Sequence, residues 1–289
     1  MIPRDDCAVF SIDVEDWYQG VELPLADWEG KEERIHIGLD VILKLLQESD
    51  TRGTFFILGW IAEKYPEIVI QLAAAGHEIG SHSYCHQRVS RQTPEEFRKD
   101  IRRTKDLLEK LSGRPVRAHR SPFFSIVTAS LWALPILAEE GFQYDCSIAP
   151  MKNWHYGIEH SPEYVYQIQE LGLIEFPIST SRFLGRKVGI GGAYSRVLPY
   201  RWTQAGIDRL LNASKPAMYY AHPWEYDPDH PVIQMDFRMK LTHYYNLRST
   251  HERTRRLLQR YRFQTLSEVI GSLQAGGRIP TISMEALKG

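Results

Sequence analysis

Short apolar runs alternate with stretches of helical periodicity along most of the chain. The apolar runs predict buried strands over residues 7–14, 53–58, 116–119, 143–147, 173–178 and 217–222, with a further short run at 263–266. Between them, apolar positions at helical spacing predict helices over residues 37–47, 65–75, 93–113, 129–140, 203–211 and 249–261. The segment Thr93-Pro-Glu-Glu96 is typical of a helix start, and Gly113 is typical of a helix end. Strands that alternate with helices indicate a parallel sheet.

The number of these units favours the α/β class, as one distorted (β/α) TIM-like barrel of about seven strands rather than an open sheet. Three polar and aromatic stretches, near residues 150–170, 180–200 and 225–248, interrupt the alternation. We expect them to be ordered loop inserts at the C-terminal rim of the barrel. Because no linker divides the chain, residues 1–289 are predicted to form a single domain with a C-terminal extension over about 225–289.

Composition narrows the class of protein further. With 35 basic and 36 acidic residues the formal net charge is −1, so charge predicts no nucleic-acid or membrane partner. The first residues carry acid, and no apolar run is long enough for a signal peptide or a membrane span. We therefore expect a cytoplasmic protein, which is compatible with peripheral association with a membrane-linked glycan. Three cysteines (Cys7, Cys85 and Cys146) cannot pair completely and are expected to be reduced.

Candidate metal ligands come from two separate segments. His82 and His86 are four residues apart, and the acidic cluster Asp13-Val-Glu-Asp16 closes the first predicted strand. Two imidazoles and one carboxylate form a three-ligand metal site with an open position. Strand alternation places Asp13 and Glu15 on one side and Asp16 on the other. Core histidines and a solvated acidic turn are the alternatives. We expect packing roles for His77, His119 and Cys85.

Further candidate groups also follow predicted strands. Arg120 precedes Ser121-Pro122-Phe123 and follows the strand at 116–119, while His222 ends the strand at 217–222. Active sites of α/β barrels assemble at this end of the strands. An arginine there can orient a carboxylate, and an imidazole can donate a proton near neutral pH.

These motifs, taken in order, resemble the metal-dependent polysaccharide deacetylases of the carbohydrate esterase class. The resemblance rests on the acidic motif, His82-Ser-x-x-His86, Arg120-Ser-Pro-Phe123, Tyr144-Asp-Cys-Ser147 and the late His222. It implies a distorted barrel that binds Zn²⁺ or another divalent cation and removes N- or O-acetyl groups. Residues 191–200 and 243–246 resemble a bacterial subfamily tied to exopolysaccharide synthesis.

The resemblance also implies a role for each residue. It makes Asp13 the general base, Arg120 its ion-pair partner and His222 the general acid. One divalent metal, with zinc favoured and cobalt, nickel or manganese open, would be bound by Glu15, His82 and His86. The family usually has two adjacent aspartates, but one branch has its two acids two residues apart, as Asp13 and Glu15 are here. Glu15 is therefore the expected carboxylate ligand, and Asp16 is the reserve ligand. The residues assigned to substrate binding are Pro122, Phe123, Tyr194 and Trp224.

The sequence therefore predicts a metal-dependent hydrolase that removes N-acetyl groups from a polysaccharide or sugar precursor in bacterial exopolysaccharide metabolism. Its expected partner is an N-acetylated glycan. Ala221 and Pro223, on either side of His222, depart from the usual family residues and alter the predicted acyl pocket. Two other functions stay open, namely an allantoinase-like small-molecule amidohydrolase and a catalytically inactive carbohydrate-binding protein.

Overall fold

A mostly parallel β-sheet forms the centre of the molecule. The computed structural model describes residues 8–151 and 156–288. Within these ranges ten strands form the main sheet and two form a separate hairpin. The strands are β1 (Ala8–Val14), β2 (Thr54–Ile57), β3 (Glu78–Ser81), β4 (Ala118–His119), β5 (Tyr144–Asp145), β6 (Tyr166–Ile168), β7 (Ile174–Glu175), β8 (Thr180–Phe183), β9 (Arg186–Gly189), β10 (Met218–Ala221), β11 (Phe263–Gln264) and β12 (Thr281–Ile282).

Strand β1 lies between strands from distant parts of the chain. The main path runs β10-β1-β2-β3-β4-β5-β7-β6-β12, and β11 also pairs with β1. Only the β6–β7 pairing in this sheet is antiparallel among the described strands. All seven residues of β1 are buried, as expected of a central parallel strand covered on both faces. β1 therefore occupies an interior position in the sheet, with β2, β10 and β11 paired to it.

The predicted barrel is present, in a distorted form that hydrogen bonds do not close. Within the described residues no strand pairing joins β7 to β10, because antiparallel β6, from the first insert, pairs with β7. Across this gap the Met218 N–H donates to Ser179 Oγ at 2.7 Å, and Gly191 forms an isolated bridge with Tyr220. Cys7, the first residue of the first predicted strand, and residues 152–155 of the first insert lie outside the described ranges.

Helices cover the sheet. Those of the described residues are α1 (Ile35–Glu48), α2 (Gly59–Lys64), α3 (Pro66–Ala74), α4 (Pro94–Ser112), α5 (Ala133–Glu139), α6 (Gly192–Val197), α7 (Tyr200–Asn212), α8 (Phe237–Tyr244), α9 (Thr250–Arg260) and α10 (Leu266–Ala275). The six predicted helices correspond to α1, α3, α4, α5, α7 and α9. Thr93 and Glu96 form the predicted capping box of α4, and Gly113 ends that helix with a φ of 65°.

Four helices were not predicted. α2 and α6 have only six residues each, and α6 and α8 lie in stretches that were interpreted as inserts. The apolar run at 263–266 divides, since β11 ends at Gln264 and α10 begins at Leu266 after a Thr265 cap. The described parts of the inserts contain β6, the β8–β9 hairpin, α6 and α8. No described helix is both long enough and apolar enough to cross a membrane.

Candidate metal centre and active site

Glu15, His82 and His86 converge at the carboxyl end of the sheet. Glu15 directly follows β1, and His82 directly follows β3. One potential ligand atom from each residue lies within 4.8 Å of the others, and Glu15 Oε2 is 2.7 Å from His86 Nε2. All three residues are buried. Two imidazoles and one carboxylate are a common ligand set for zinc and similar cations.

The orientation and charge of His82 suit metal binding. Its Nδ1–H donates to the backbone carbonyl of Arg120 at 2.8 Å, a tautomer that we assign from this hydrogen bond. The other ring nitrogen, Nε2, therefore keeps its lone pair for the cluster. Burial lowers the pKa of His82 to about 4, despite the nearby carboxylate of Asp13. At neutral pH the ring is a neutral imidazole, which is the form that binds metals.

Glu15 provides the test of whether these residues fit a cation. Its Oε1 accepts a hydrogen bond from Trp224 Nε1 at 3.0 Å, whereas buried Oε2 accepts none from the described residues. Burial raises the pKa of Glu15, but His86 and His222 outweigh this effect and hold it well below its usual range. An ionised oxygen without a hydrogen bond beside two imidazoles fits a bound cation.

Asp16 points elsewhere and supports the fold. Its Oδ2 accepts hydrogen bonds from the backbone N–H groups of Arg34 and Ile35 at 2.8 and 3.0 Å, and Oδ1 accepts from Trp17 N–H. These contacts satisfy N–H groups at the start of α1, which lack partners within the helix. Burial raises the pKa of Asp16 to about 6. The predicted reserve ligand is thus absent from the cluster of Glu15, His82 and His86.

Asp13 forms a buried ion pair with Arg120. Arg120 Nη1 donates to Asp13 Oδ1 at 2.6 Å, and Nη2 donates to Ser11 Oγ at 3.0 Å. Arg120 is fully buried, and Asp13 is 3% exposed. A guanidinium held in this way fixes the orientation of the aspartate. Asp13 Oδ2, the other carboxylate oxygen, lies 3.8 Å from His222 Nε2.

His222 lies beside the carboxylates of Asp13 and Glu15, and Glu225 binds the other nitrogen of its ring. Its Nε2 lies 3.7 Å from Glu15 Oε1, and Glu225 Oε1 accepts a hydrogen bond from His222 Nδ1–H at 2.7 Å. Burial alone would lower the pKa of His222, but Glu15, Glu225 and Asp13 together raise it to about 9. These carboxylates therefore favour a protonated ring, which can donate a proton from Nε2.

The turn after β4 lies against His86. Pro122 is buried, and the half-buried ring of Phe123 contacts the ring of His86, with centroids 4.4 Å apart. Phe123 and Phe124 have φ values of 56° and 50°, and Ser83 and His86 of the facing loop have 62° and 55°. Such conformations strain L-residues, and they concentrate at functional sites.

The other two predicted substrate-binding residues occupy different positions. Trp224 is 7% exposed; its ring stacks on that of His222 with centroids 5.1 Å apart. It therefore forms part of the wall behind the cluster. The Tyr194 and Tyr156 hydroxyls are 3.1 Å apart, and both rings pack against an apolar cluster that includes Tyr220, two residues before His222. Tyr194 is thus on the flank of the site.

The remaining candidates of the sequence lie away from the cluster. His77 Nδ1 accepts a hydrogen bond from Gly53 N–H, and burial lowers its pKa to about 4. His119 is buried at 2.8 Å from Asp145, and Ser147 Oγ donates to the same aspartate. Cys85 packs against the main core, and burial raises its pKa to about 11, so the group is a thiol.

Glu225 is a site residue to which the sequence analysis gave no role, and Arg196 is one that it considered only as a cap of the groove or as packing of the insert. Glu225 binds His222 through Oε1, and Arg196 Nε donates to Glu225 Oε2 at 2.6 Å. His222-Pro-Trp-Glu225 repeats the pattern of Thr93-Pro-Glu-Glu96, with a cap followed by proline and by glutamate at the third position. This spacing was the available signal for Glu225. No comparable local pattern marks Arg196.

Gly20 provides a test of the packing around Glu15. A Cβ at this position would lie 2.8 Å from Trp224 Nε1 and 3.1 Å from Glu15 Oε1. Gly20→Ala should therefore displace one of these groups and weaken binding of Co²⁺ or Zn²⁺ about tenfold or more. Titration of metal-stripped protein, followed by calorimetry or by cobalt absorption, measures the change.

Gly271→Ala is the matched control. A Cβ at Gly271, in α10, meets no atom within 4 Å. This substitution should leave cation affinity unchanged and should stabilise the helix by about 0.5–1 kcal/mol, because alanine loses less conformational entropy than glycine. Equal cation affinities for Gly20→Ala and the wild type would show that the Glu15–Trp224 contact does not constrain the site.

Comparisons with known proteins give two family matches and several relatives. Residues 38–143 match the family described as Polysaccharide deacetylase, and residues 146–271 match a domain of unknown function, DUF3473. The peptidoglycan-N-acetylglucosamine deacetylase of Bacillus cereus is 38% identical over 93 residues, which are 32% of this chain and 34% of that protein. The chain thus carries a domain of the polysaccharide deacetylase family, while the alignment spans about a third of its relative.

Solved structures share the fold over nearly the whole chain. A protein of Mycobacterium smegmatis assigned to the polysaccharide deacetylases has a TM-score of 0.65 at 20% identity, covering 96% of this chain and 94% of that chain. PuuE allantoinase has a TM-score of 0.62 at 15% identity, covering 96% of this chain and 93% of that chain. At these identities the similarity concerns the fold and leaves the substrate open.

Proposed function

We propose that the protein is a metal-dependent hydrolase that removes N-acetyl groups from a glycan. The observation that supports this most strongly is the convergence of Glu15, His82 and His86 within 4.8 Å, with Asp13 and His222 on their border. The family match over residues 38–143 agrees with this activity. We also propose that residues 1–289 form one catalytic domain, since β10, β11 and β12 belong to the same sheet as β1.

In this proposal Glu15, His82 and His86 bind one divalent cation. Zinc suits two imidazoles and a carboxylate best, and cobalt, nickel and manganese accept the same ligands. A cation bound there would polarise the acyl oxygen and would lower the pKa of the attacking water from about 15.7 towards about 7. Three protein ligands leave a coordination position open for that chemistry.

Asp13 and His222 would carry the proton transfers. Asp13, oriented by Arg120, accepts the proton of the attacking water as the general base. The backbone N–H of Phe123 donates to the developing oxyanion, a contribution that is typically worth about 10²–10³ in rate. His222 protonates the leaving nitrogen from Nε2, because an amide anion is too poor a leaving group to depart alone. Each proton transfer typically contributes about 10²–10⁴.

The substrate that we propose is an N-acetylated polysaccharide or sugar precursor. Phe123 is half-buried beside His86, so its ring could contact a sugar at the mouth of the site. Pro122 and Trp224 would shape the acyl pocket, and Tyr194 would border the groove. The assignment to exopolysaccharide metabolism rests on the resemblance of residues 191–200 and 243–246 to that bacterial subfamily.

Acetate release from a panel of N-acetylated glycans tests the proposal. The protein would be stripped of metal, restored with Zn²⁺ or Co²⁺ and incubated with chitooligosaccharides, peptidoglycan fragments and exopolysaccharide. We expect acetate release only after restoration. Hydrolysis of allantoin without acetate release from any glycan would favour the amidohydrolase. Glycan binding without hydrolysis, even with added cation, would favour an inactive carbohydrate-binding protein.

A further inference from the structure

Arg196, in α6, is a fully enclosed arginine behind the proposed general acid. It is 1% exposed, although α6 belongs to an insert. Its Nε donates to Glu225 Oε2 at 2.6 Å. Its other nitrogens donate to backbone carbonyls, Nη2 to Thr242 at 2.6 Å and Nη1 to Tyr245 at 2.7 Å. One guanidinium therefore joins the carboxylate behind His222 to the end of α8.

The carbonyls that Arg196 contacts are those that a helix leaves without partners. The last carbonyls of an α-helix accept no hydrogen bond within the helix, and a cation there also interacts favourably with the helix dipole. Arg196 thus caps the C-terminal end of α8. In return, Asn246 Nδ2, just beyond α8, donates to the Arg196 carbonyl at 3.1 Å. These reciprocal bonds hold α6 and α8 together and fix the guanidinium in one place.

Arg196 also determines which direction Glu225 can face. The carboxylate has two oxygens, and one accepts from Arg196 while the other accepts from His222 Nδ1 at 2.7 Å. Without the guanidinium, the buried carboxylate of Glu225 would lose the positive charge beside its Oε2. A carboxylate of this kind would turn or take up a proton, and the ring of His222 would lose its fixed orientation.

We propose that Arg196 is a positioning residue that orients Glu225 and, through it, His222 for proton donation to the leaving group. The insert helices α6 and α8 are then part of the machinery for this step. The inference rests on the proposed function, in which His222 is the general acid. It adds a defined task for segments that lie outside the motifs shared with the family.

The test compares two leaving groups. A good leaving group, such as 4-nitrophenolate, departs without an acid, whereas a sugar amine requires one. Arg196→Met should lower kcat about 10–100-fold on the N-acetyl glycan that the wild type deacetylates. On 4-nitrophenyl acetate the loss should be less than about threefold. The glycan KM and the bound metal should stay near wild-type values, since Arg196 lies behind Glu225 and away from substrate.

Arg253, in α9, provides a control for general damage to the inserts. Its Nη1 donates to the carbonyls of Leu198 at 2.9 Å, of Ser195 and, at 3.4 Å, of Arg196, which lie in or next to α6, and its described hydrogen bonds do not reach Glu225. Arg253→Met should lower stability without separating the two substrates. Arg196→Lys keeps the charge but contacts fewer partners, so it should have intermediate activity. It also provides the comparison if Arg196→Met fails to fold.

A double variant separates positioning from independent effects. If Arg196 acts through Glu225, Arg196→Met combined with Glu225→Gln should lose little more activity than Glu225→Gln alone. Equal losses on glycan and ester, or losses that multiply in the double variant, would overturn the inference while leaving the deacetylase proposal intact. A wild-type protein that releases no acetate from any glycan would instead overturn the proposed function.

Discussion

Replacing Glu15 with glutamine should release the divalent cation. The neutral amide removes the ionised Oε2 that lies 2.7 Å from His86 Nε2 and accepts no hydrogen bond from the described residues. We expect affinity for Zn²⁺ or Co²⁺ to fall by at least about 10²-fold, and acetate release to be lost with it. The measurement is the molar ratio of metal to protein after dialysis, determined by elemental analysis.

Asp16→Asn is the matched comparison one residue along the chain. It should keep its metal, because Asp16 points to the start of α1 and accepts hydrogen bonds from Arg34 and Ile35. Its cost should appear in the free energy of unfolding, which we expect to fall by about 1 kcal/mol as charged hydrogen bonds become neutral. Metal retained in Glu15→Gln but lost in Asp16→Asn would reverse the assignment of the carboxylate ligand.

Asp13→Asn should reduce turnover without loss of metal. An amide cannot accept the proton of the attacking water, so we expect kcat to fall by about 10²–10⁴. Asp13 does not belong to the cluster of ligand atoms, and the metal content should therefore match the wild type. Acetate release under saturating glycan, together with elemental analysis of the same preparation, measures both quantities.

Stability must be measured alongside this activity. Arg120 is fully buried and donates to Asp13 at 2.6 Å, so the single substitution leaves a buried charge without its partner at a cost of about 3–5 kcal/mol. Asp13→Asn combined with Arg120→Met removes that charge. The double variant should regain stability but not turnover. Wild-type turnover in a folded Asp13→Asn protein would show that the base lies elsewhere.

The barrel could be predicted because its strands are buried on both faces and therefore read as continuous apolar runs. β1, β2 and β10 are examples, and each is fully buried. Parallel strands end on one rim, so residues that follow separate strands meet in space. That rule is sufficient to bring Asp13, Arg120 and His222 together from sequence alone, whereas β3, the strand before His82, was not among the predicted strands. The alternation of side chains along a strand likewise predicted that Glu15 and Asp16 point in opposite directions. In the structure Glu15 lies in the ligand cluster, and Asp16 accepts a hydrogen bond from the start of α1.

Contacts made by the inserts could not be predicted in the same way. Trp224 donates to Glu15 across 209 positions, and Arg196 reaches Glu225 from a short helix in a polar stretch. Neither contact follows from periodicity, because both depend on how irregular segments fold over the rim. The gap between β7 and β10 could not be predicted either. It depends on the pairing of β6 with β7, and β7 has only two residues.

Three residues of the short segment 13–16 have three different tasks. Asp13 forms the ion pair with Arg120, Glu15 belongs to the ligand cluster, and Asp16 holds the start of α1. This segment includes the end of β1, and the strands β2, β10 and β11 all pair with β1. A one-residue deletion within β1 would turn the residues of that strand that follow it to the opposite face of the sheet. Variants designed to change the proposed substrate should therefore leave this strand untouched.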